Sequence, residues 1–385
     1  MASSAPAKKG DTDEVLSESQ PVGKGLDAAD GLLIDLGYMP ELSRNRSTLQ
    51  VAFMSFVLAS IPCGLATTLF YPLNGGGPVN IIWGWVVVSL IIICVALSLG
   101  EITSIYPTAG GVYYQTFMLA PRRWRRVAGW VCGWIMCEEV QNPSIQVPRA
   151  MVATIFINAF AGLLFLIPLV FVLPDIQELL QLASGQPVPV IIKSAVGSSG
   201  GAFALLVPLL VLLVICGIDC TTATSRCVFA FARDGAIPQS RWWVKVNHRL
   251  DNIPLNAMML SMVVELALGL IYFGNTTAFN AFSGVGVICL TVAYASPIAI
   301  NLFTGRKQVK KSRFYLGALG TISNVIAIVW TLLVIPLFCM PASIPVTAST
   351  VNYAPVVFVF AIVVSGIWYW VWGYENYVGP PTQDE

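Results

Sequence analysis

The chain has 385 residues, of which 56% are hydrophobic types and 11% are charged. A soluble domain carries about 25% charged residues, so this composition excludes an ordinary soluble enzyme, a disordered chain and a nucleic-acid binder. The net charge of +1 decides nothing by itself, because the placement of the charges matters more than their sum. The mean hydropathy of +0.75 and the 11 Trp and 12 Tyr suit a multi-pass helical protein with two membrane interfaces.

Met1 to Gln50 is polar and rich in Ser, Gly and Asp, with no apolar stretch that would read as a cleavable signal. Residues 1–48 are expected to be a disordered cytosolic tail. A membrane helix needs about 20 mostly apolar residues. Eight stretches qualify: Val51–Tyr71, Val79–Leu99, Met151–Leu173, Ala202–Ala232, Leu255–Phe273, Ala278–Phe303, Gly320–Cys339 and Ala354–Trp372. A ninth, Val127–Cys137, is about 16 Å long as a helix and too short to cross. The membrane domain is placed at 49–376, with 377–385 as a cytosolic C-terminal tail.

Positive charge tests this topology. With the N-terminus inside, the inner segments carry Lys8, Lys9, Lys24, Arg44 and Arg46, then Arg122, Arg123, Arg125, Arg126 and Arg149. Arg226, Arg233, Arg241, Lys245 and Arg249 follow, and then Arg306, Lys307, Lys310, Lys311 and Arg313. Lys193 alone is left outside. This bias is the positive-inside pattern. It requires that Val127–Cys137 not cross, so this stub is expected to be re-entrant, interfacial or buried among other helices.

Several segments carry more than hydropathy. Ser60-Ile61-Pro62-Cys63-Gly64 lies near the middle of the first span. Pro removes a backbone hydrogen bond and Gly weakens the helix. A broken helix of this kind can offer free backbone groups to a substrate carboxylate or amine; the same residues could equally form a kink in a packing helix. Asn74-Gly75-Gly76-Gly77-Pro78 precedes the second span, and Glu101 and Tyr106-Pro107-Thr108-Ala109-Gly110-Gly111-Val112-Tyr113-Tyr114 follow it. Then come Glu138-Glu139-Val140-Gln141-Asn142-Pro143 and, at the end of the fourth span, Phe231-Ala232-Arg233-Asp234-Gly235-Ala236-Ile237-Pro238.

In this order the motifs closely resemble the amino acid–polyamine–organocation transporters, and within them the fungal amino acid, GABA and choline permeases, over about residues 36–378. The resemblance implies an all-α membrane protein of the five-plus-five inverted-repeat fold and secondary transport of an amino acid or related amine, with a coupled proton as one option. It also implies a departure. Ala128 to Trp134 corresponds to the start of the family's third helix, and Glu138 to Pro143 to the segment after its sixth. About four helices are therefore expected to be missing between about 134 and 138, leaving eight full helices and a stub. An even number preserves the orientation of everything downstream.

The first broken helix, Ser60, Ile61, Pro62, Cys63 and Gly64, is the expected substrate-binding tract, and its symmetry mate is absent. The chain is therefore expected to be impaired as a transporter. The alternatives are a non-transporting isoform, an incorrectly spliced product, or a partner or regulator of a full-length permease.

Ionisable residues within a membrane are costly and mark candidate sites. Asp219 shares a face with Thr222 and Arg226 on the fourth span, either as a polar stripe along a transport path or as an acid satisfied by hydroxyls. Asp219 and Arg226 lie about 10 Å apart along the axis, too far for a direct pair. Glu265 sits near the midplane of the fifth span, as a coupling carboxylate or as a packing hydrogen-bond partner. Asn280 lies on the sixth span, whose small residues suit close packing. Glu101 reads as an anchor for the Tyr106–Tyr114 loop, and Glu138-Glu139 as a solvated or helix-capping pair.

Asn275-Thr276-Thr277 is a glycosylation sequon too close to the membrane for use. Enzyme chemistry has no support: the Ser of Gly197-Ser198-Ser199-Gly200 is outside and the one His, His248, inside. No cofactor or metal is expected. The nine Cys form no C-x-x-C and fall mostly in apolar runs, so no disulfide framework is implied. The expected partners are the substrate and the lipid bilayer of a plasma or vacuolar membrane, with both termini cytosolic and no nucleic acid.

Overall fold

The computed structural model describes residues 60–106, 108, 110–135, 146–182, 186–247, 253–274, 276–312, 314–341, 351–377 and 379–380. These belong to the unit Glu41–Pro380. The predicted N-terminal tail, Glu138-Glu139, Asn275 and His248 lie outside the described residues.

Among the described residues the regular structure is helical, apart from one bridge between Asn247 and Ile253. Helix α1 (Ile61–Thr68) runs through Leu69, which keeps right-handed angles, into α2 (Phe70–Thr103). Two spans meet inside α2. Gly77 at φ 65° breaks the helix, a conformation open to a residue without Cβ. Pro78 then starts the second arm, where its missing N–H would have had no partner anyway.

Then follow α3 (Gly111–Leu119), α4 (Arg125–Ile135), α5 (Gln146–Phe171), α6 (Ile176–Leu180), α7 (Pro187–Val196) and α8 (Ser199–Arg233). The last part comprises α9 (Ser240–Trp243), α10 (Leu255–Gly274), α11 (Thr276–Phe303), α12 (Gly317–Cys339), α13 (Ala354–Trp368), a π turn (Tyr369–Gly373) and α14 (Tyr374–Asn376).

Among the described residues, six helical stretches are long and apolar enough to cross a membrane: Phe70–Thr103, Met151–Phe171, Ser199–Arg233, Gly284–Phe303, Gly317–Cys339 and Ala354–Asn376. Of the two further predicted spans, Leu255–Phe273 lies within the 20-residue helix Leu255–Gly274. The first span is described only from Ser60 onward. The stub is the 11-residue α4, and Trp130 and Cys132 on it are buried. Of the three expectations for the stub, burial among helices describes this face.

Close packing sets the helix pairs. Gly162 on α5 sits against the Trp85 ring of α2 with no room for a side chain, and the indole Nε1 donates to Ala159 O at 3.0 Å. Two apolar clusters hold opposite ends. One joins Leu69, Leu73, Ile81, Leu166, Leu179, Val188 and Ile191, beside the α1–α2 turn and the short α6 and α7. The other joins Leu99, Ile102, Val112, Leu119, Cys132, Ile298, Val309 and Ala327. This second cluster gathers the segments flanking Arg122–Arg126 and Arg306–Lys311. The charge pattern expects these to share one side of the membrane, and the packing brings their flanking segments into one cluster.

Candidate functional site

The predicted substrate tract is the start of α1. Ser60 takes a left-handed conformation (φ 39°, ψ 46°), and the helix begins at Ile61 with Pro62 in its first turn, where Pro fits. Ser60 O accepts from the Cys63 and Gly64 amides at 2.9 and 3.0 Å. Its buried Oγ has no hydrogen-bond partner among the described residues. An unpartnered hydroxyl at the positive end of a helix is an arrangement that suits an anionic group.

Cys63 Sγ donates to Leu209 O at 2.9 Å and ties α1 to α8. The opposite face is open. Gly64 is exposed with open space where a Cβ would lie, and Thr67 and Thr68 turn their hydroxyls back to Gly64 O at 3.0 and 2.7 Å.

The polar residues of α8 and α10 do not join this tract. Asp219 lies ten residues from Leu209, about 15 Å along the helix. Thr222 donates to its own helix at Ile218 O, 2.8 Å away. The partner of Glu265 is Thr221, whose hydroxyl donates to Oε2 at 2.8 Å across α8 and α10. Asn280 lies on α11, with its side chain outside the described residues. Ser198 of the Gly-Ser-Ser-Gly tract caps α8, its Oγ accepting from the Gly201 amide at 3.1 Å.

The most heavily built polar cluster is elsewhere, at the charge-rich end. Glu101 is fully buried. Arg306 Nη2 donates to its two oxygens at 2.7 and 2.6 Å, and the Leu316 amide donates to Oε1 at 2.7 Å. Arg306 Nη1 also donates to Gly317 O at 2.7 Å. This pair bolts the end of α2 to the loop after α11 and to the start of α12. Glu101 is expected from the sequence to anchor the Tyr106–Tyr114 loop; its partners among the described residues are instead the Leu316 amide and Arg306, 205 positions away in sequence. Hydropathy and spacing gave no signal of that partner.

A second cluster involves the end of the chain. The Tyr113 hydroxyl donates to Asp234 Oδ2 at 2.9 Å and lies 3.0 Å from the Tyr377 hydroxyl. With the Tyr113 proton committed to the carboxylate, Tyr377 donates to Tyr113. Tyr377 is 1% exposed and packs on Trp130, with ring centroids 5.2 Å apart. Burial, then the Asp234 charge, pushes its hydroxyl pKa up, and burial does the same for Tyr114. A small cleft lies beside this cluster, lined by Tyr113, Trp134, Val228, Phe231 and Ile237 among others. None of the predicted site residues lines it.

An amino acid permease family profile matches residues 128–362, more than half of the chain, and a second one matches residues 51–138. The chain belongs to the amino acid permease family. This is a family of transporters rather than enzymes, and with the apolar helices it makes the chain a multi-pass membrane protein.

Among its relatives is a polyamine transporter of Saccharomyces cerevisiae, 36% identical over 251 residues, which are 65% of this chain and 41% of that protein. The chain thus spans less than half of that relative. An amino-acid permease of Arabidopsis thaliana is 24% identical over 504 aligned positions, covering 93% of this chain and 97% of that permease. The choline transporter of Saccharomyces cerevisiae is 24% identical over 467 positions, covering 87% of this chain and 81% of that protein.

Proposed function

We propose that this permease-family chain has the binding tract of a secondary transporter of amino acids or related amines, and that its translocation path is interrupted near residue 135. The observation that carries this reading is the changeover at α4. The two family matches overlap only at residues 128–138, a stretch that takes in most of the eleven-residue α4, and a helix of that length is too short to cross a membrane. The alignment with the Arabidopsis permease supports it. It runs over 504 positions, more than the 385 residues of this chain, so more than a hundred positions lie opposite gaps.

In the intact arrangement a second broken helix would face Ser60–Gly64. Here the open side of α1, with Gly64 and Thr67 exposed, is consistent with the loss of that partner. The substrate class is amino acids or amines, GABA and choline included, and its carboxylate or ammonium group would meet the start of α1. Asp219, Thr222, Glu265 and Asn280 are the candidates along the path or in proton coupling. The Lys and Arg distribution supports cytosolic termini, in a plasma or vacuolar membrane.

Alternating access rocks one repeat against the other, so a chain with a broken repeat should not transport alone. Uptake of labelled amino acid or amine into vesicles holding the purified chain is expected to match empty vesicles. Saturable uptake above that level would overturn the reading.

A second reading has its own support. The long α8 leaves almost all of its apolar stretch uncovered, with Leu210, Val214 and Ile218 exposed. Such a flank suits a non-transporting partner that binds a full-length permease, and co-purification of the two would test it.

A further inference from the structure

Ser365, Tyr369, Gly373 and Tyr377 recur every four positions from the last span onward, and all four meet one side chain, Trp130 of α4. The Trp130 indole Nε1 donates to Ser365 O at 3.1 Å. Its ring lies 5.3 Å from that of Tyr369 and 5.2 Å from that of Tyr377. A Cβ on Gly373 would come 2.8 Å from the same ring. Trp130 is left with no exposed surface.

A regular α-helix would not hold this face. At 3.6 residues per turn a four-residue repeat drifts by about 40° per step, or about 120° between Ser365 and Tyr377. The π turn at Tyr369–Gly373 lies between them. A π bulge takes in one extra residue, which offsets about 100° of that drift and returns Tyr377 to Trp130.

The site that receives Tyr377 is shaped for this segment. The Tyr377 hydroxyl lies 3.0 Å from that of Tyr113, which donates to Asp234. Gly379 and Pro380 are buried as well, whereas Tyr374, Glu375 and Asn376 are exposed. A Cβ on Gly379 would meet the Phe117 ring, and one on Gly129 would meet Phe117 and the Tyr377 hydroxyl. Gly235, at φ 78°, leaves room for Asn376 O, 3.3 Å from where its Cβ would lie. The socket thus draws on α3, α4 and the loop after α8.

This contact can open without the core. The strap lies beyond the helix, and the Tyr377 amide is held there by one bond, to Gly373 O. Segments with few backbone hydrogen bonds open at less cost than global unfolding. The π turn also has a regular alternative: a return to α geometry would swing Tyr377 by about 100°, away from Trp130.

We infer that Tyr377, Gly379 and Pro380 form a releasable latch, set in register by the π turn, that locks the short α4 against α3 and the loop after α8. Release uncovers the α3–α4 seam, where Cys132 is buried and the Thr116 hydroxyl donates to its sulfur at 3.3 Å. The inference does not depend on whether the chain transports.

Cys132 is the reporter for the test. The detergent-solubilised full chain is treated with N-ethylmaleimide, and labelling at each Cys is timed by mass spectrometry. Exposed Cys220 gives the unhindered rate, and Cys63, buried where α1 meets α8, reports opening elsewhere. In the unaltered chain Cys132 should react far more slowly than Cys220. Ending the chain at Asn376 should speed Cys132 relative to Cys63 on the order of tenfold or more. Tyr377→Phe, which keeps the ring and loses the hydroxyl, should speed it about fivefold. One Ala inserted after Val371 turns Tyr377 by about 100° and should act like the truncation. Tyr374→Ala, on the exposed side of the same segment, should change nothing. The inference is overturned if Cys132 already reacts as fast as Cys220, if the shortened chain leaves its rate unchanged, if the inserted Ala has no effect, or if Cys63 speeds up equally, which would make the strap only one more contribution to overall stability.

Discussion

Replacing Glu101 by Gln is the sharpest test of how the charge-rich ends of the helices are held together. The carboxylate is fully buried and receives three donors, two from Arg306 and one from the Leu316 amide. Gln keeps the shape but turns one oxygen into a donor, which would face the guanidinium. Removing one partner of a buried pair leaves the other charge uncompensated, at a cost of about 3–5 kcal/mol. Arg306 also sits in a left-handed conformation at φ 57°. A non-Gly residue there costs about 1–2 kcal/mol, so the side-chain contacts must hold it in place.

Arg306→Ala should therefore destabilise more than Arg306→Gly, by about 1 kcal/mol. The double variant Glu101→Ala with Arg306→Ala should lose less than the two singles summed, with a coupling of about 1–3 kcal/mol. The assay is unfolding of the detergent-solubilised chain followed by intrinsic tryptophan fluorescence. A Glu101→Gln chain within about 0.5 kcal/mol of the unaltered one would refute the argument.

Other outcomes follow from the same packing. Gly162→Ala would push a methyl group into the Trp85 ring, and overpacking should cost about 1–3 kcal/mol in the same unfolding assay, where Trp85→Phe on its background should recover part of it. Tyr377→Phe removes the donor to Tyr113 and should cost about 1 kcal/mol, seen as a lower melting temperature. Burial raises the pKa of both Tyr114 and Tyr377 above the ordinary tyrosine value. Their share of stability is complete below about pH 10 and is lost as pH rises above it, because the unfolded chain releases these protons first. Melting temperatures taken from neutral to alkaline pH should fall in that window, and less steeply for Tyr377→Phe.

Helix identity was legible in the sequence wherever apolar runs were long. Ser199–Arg233, Gly317–Cys339 and the helix entered at Pro78 match their predicted cores, because a membrane span announces itself by composition. The short α4 was legible in the length of its apolar run, Val127–Cys137, which is too brief for a membrane span. The start of α1 at Ile61 is in keeping with Pro62, which the first turn of a helix accommodates; the first half of that predicted span lies outside the described residues.

What stayed hidden were the pairings. Nothing local tells that Glu101 meets Arg306, that Glu265 meets Thr221, or that Tyr377 folds back onto Tyr113. These contacts join residues 205, 44 and 264 positions apart and depend on which helix ends come together. The candidate site residues also did not assemble into one cluster. Cys63 meets α8 at Leu209, ten residues from Asp219, and the side chain of Asn280 lies outside the described residues.

The central claim is that the translocation path is broken at the junction after α4. The direct measurement compares two proteins in vesicles: this chain, and the same chain with the helices that the family resemblance implies are missing, taken from the Arabidopsis permease, inserted between Trp134 and Glu138. The account predicts uptake of labelled amino acid at the empty-vesicle level for the first and saturable uptake for the second. Saturable uptake by the unrestored chain would contradict it.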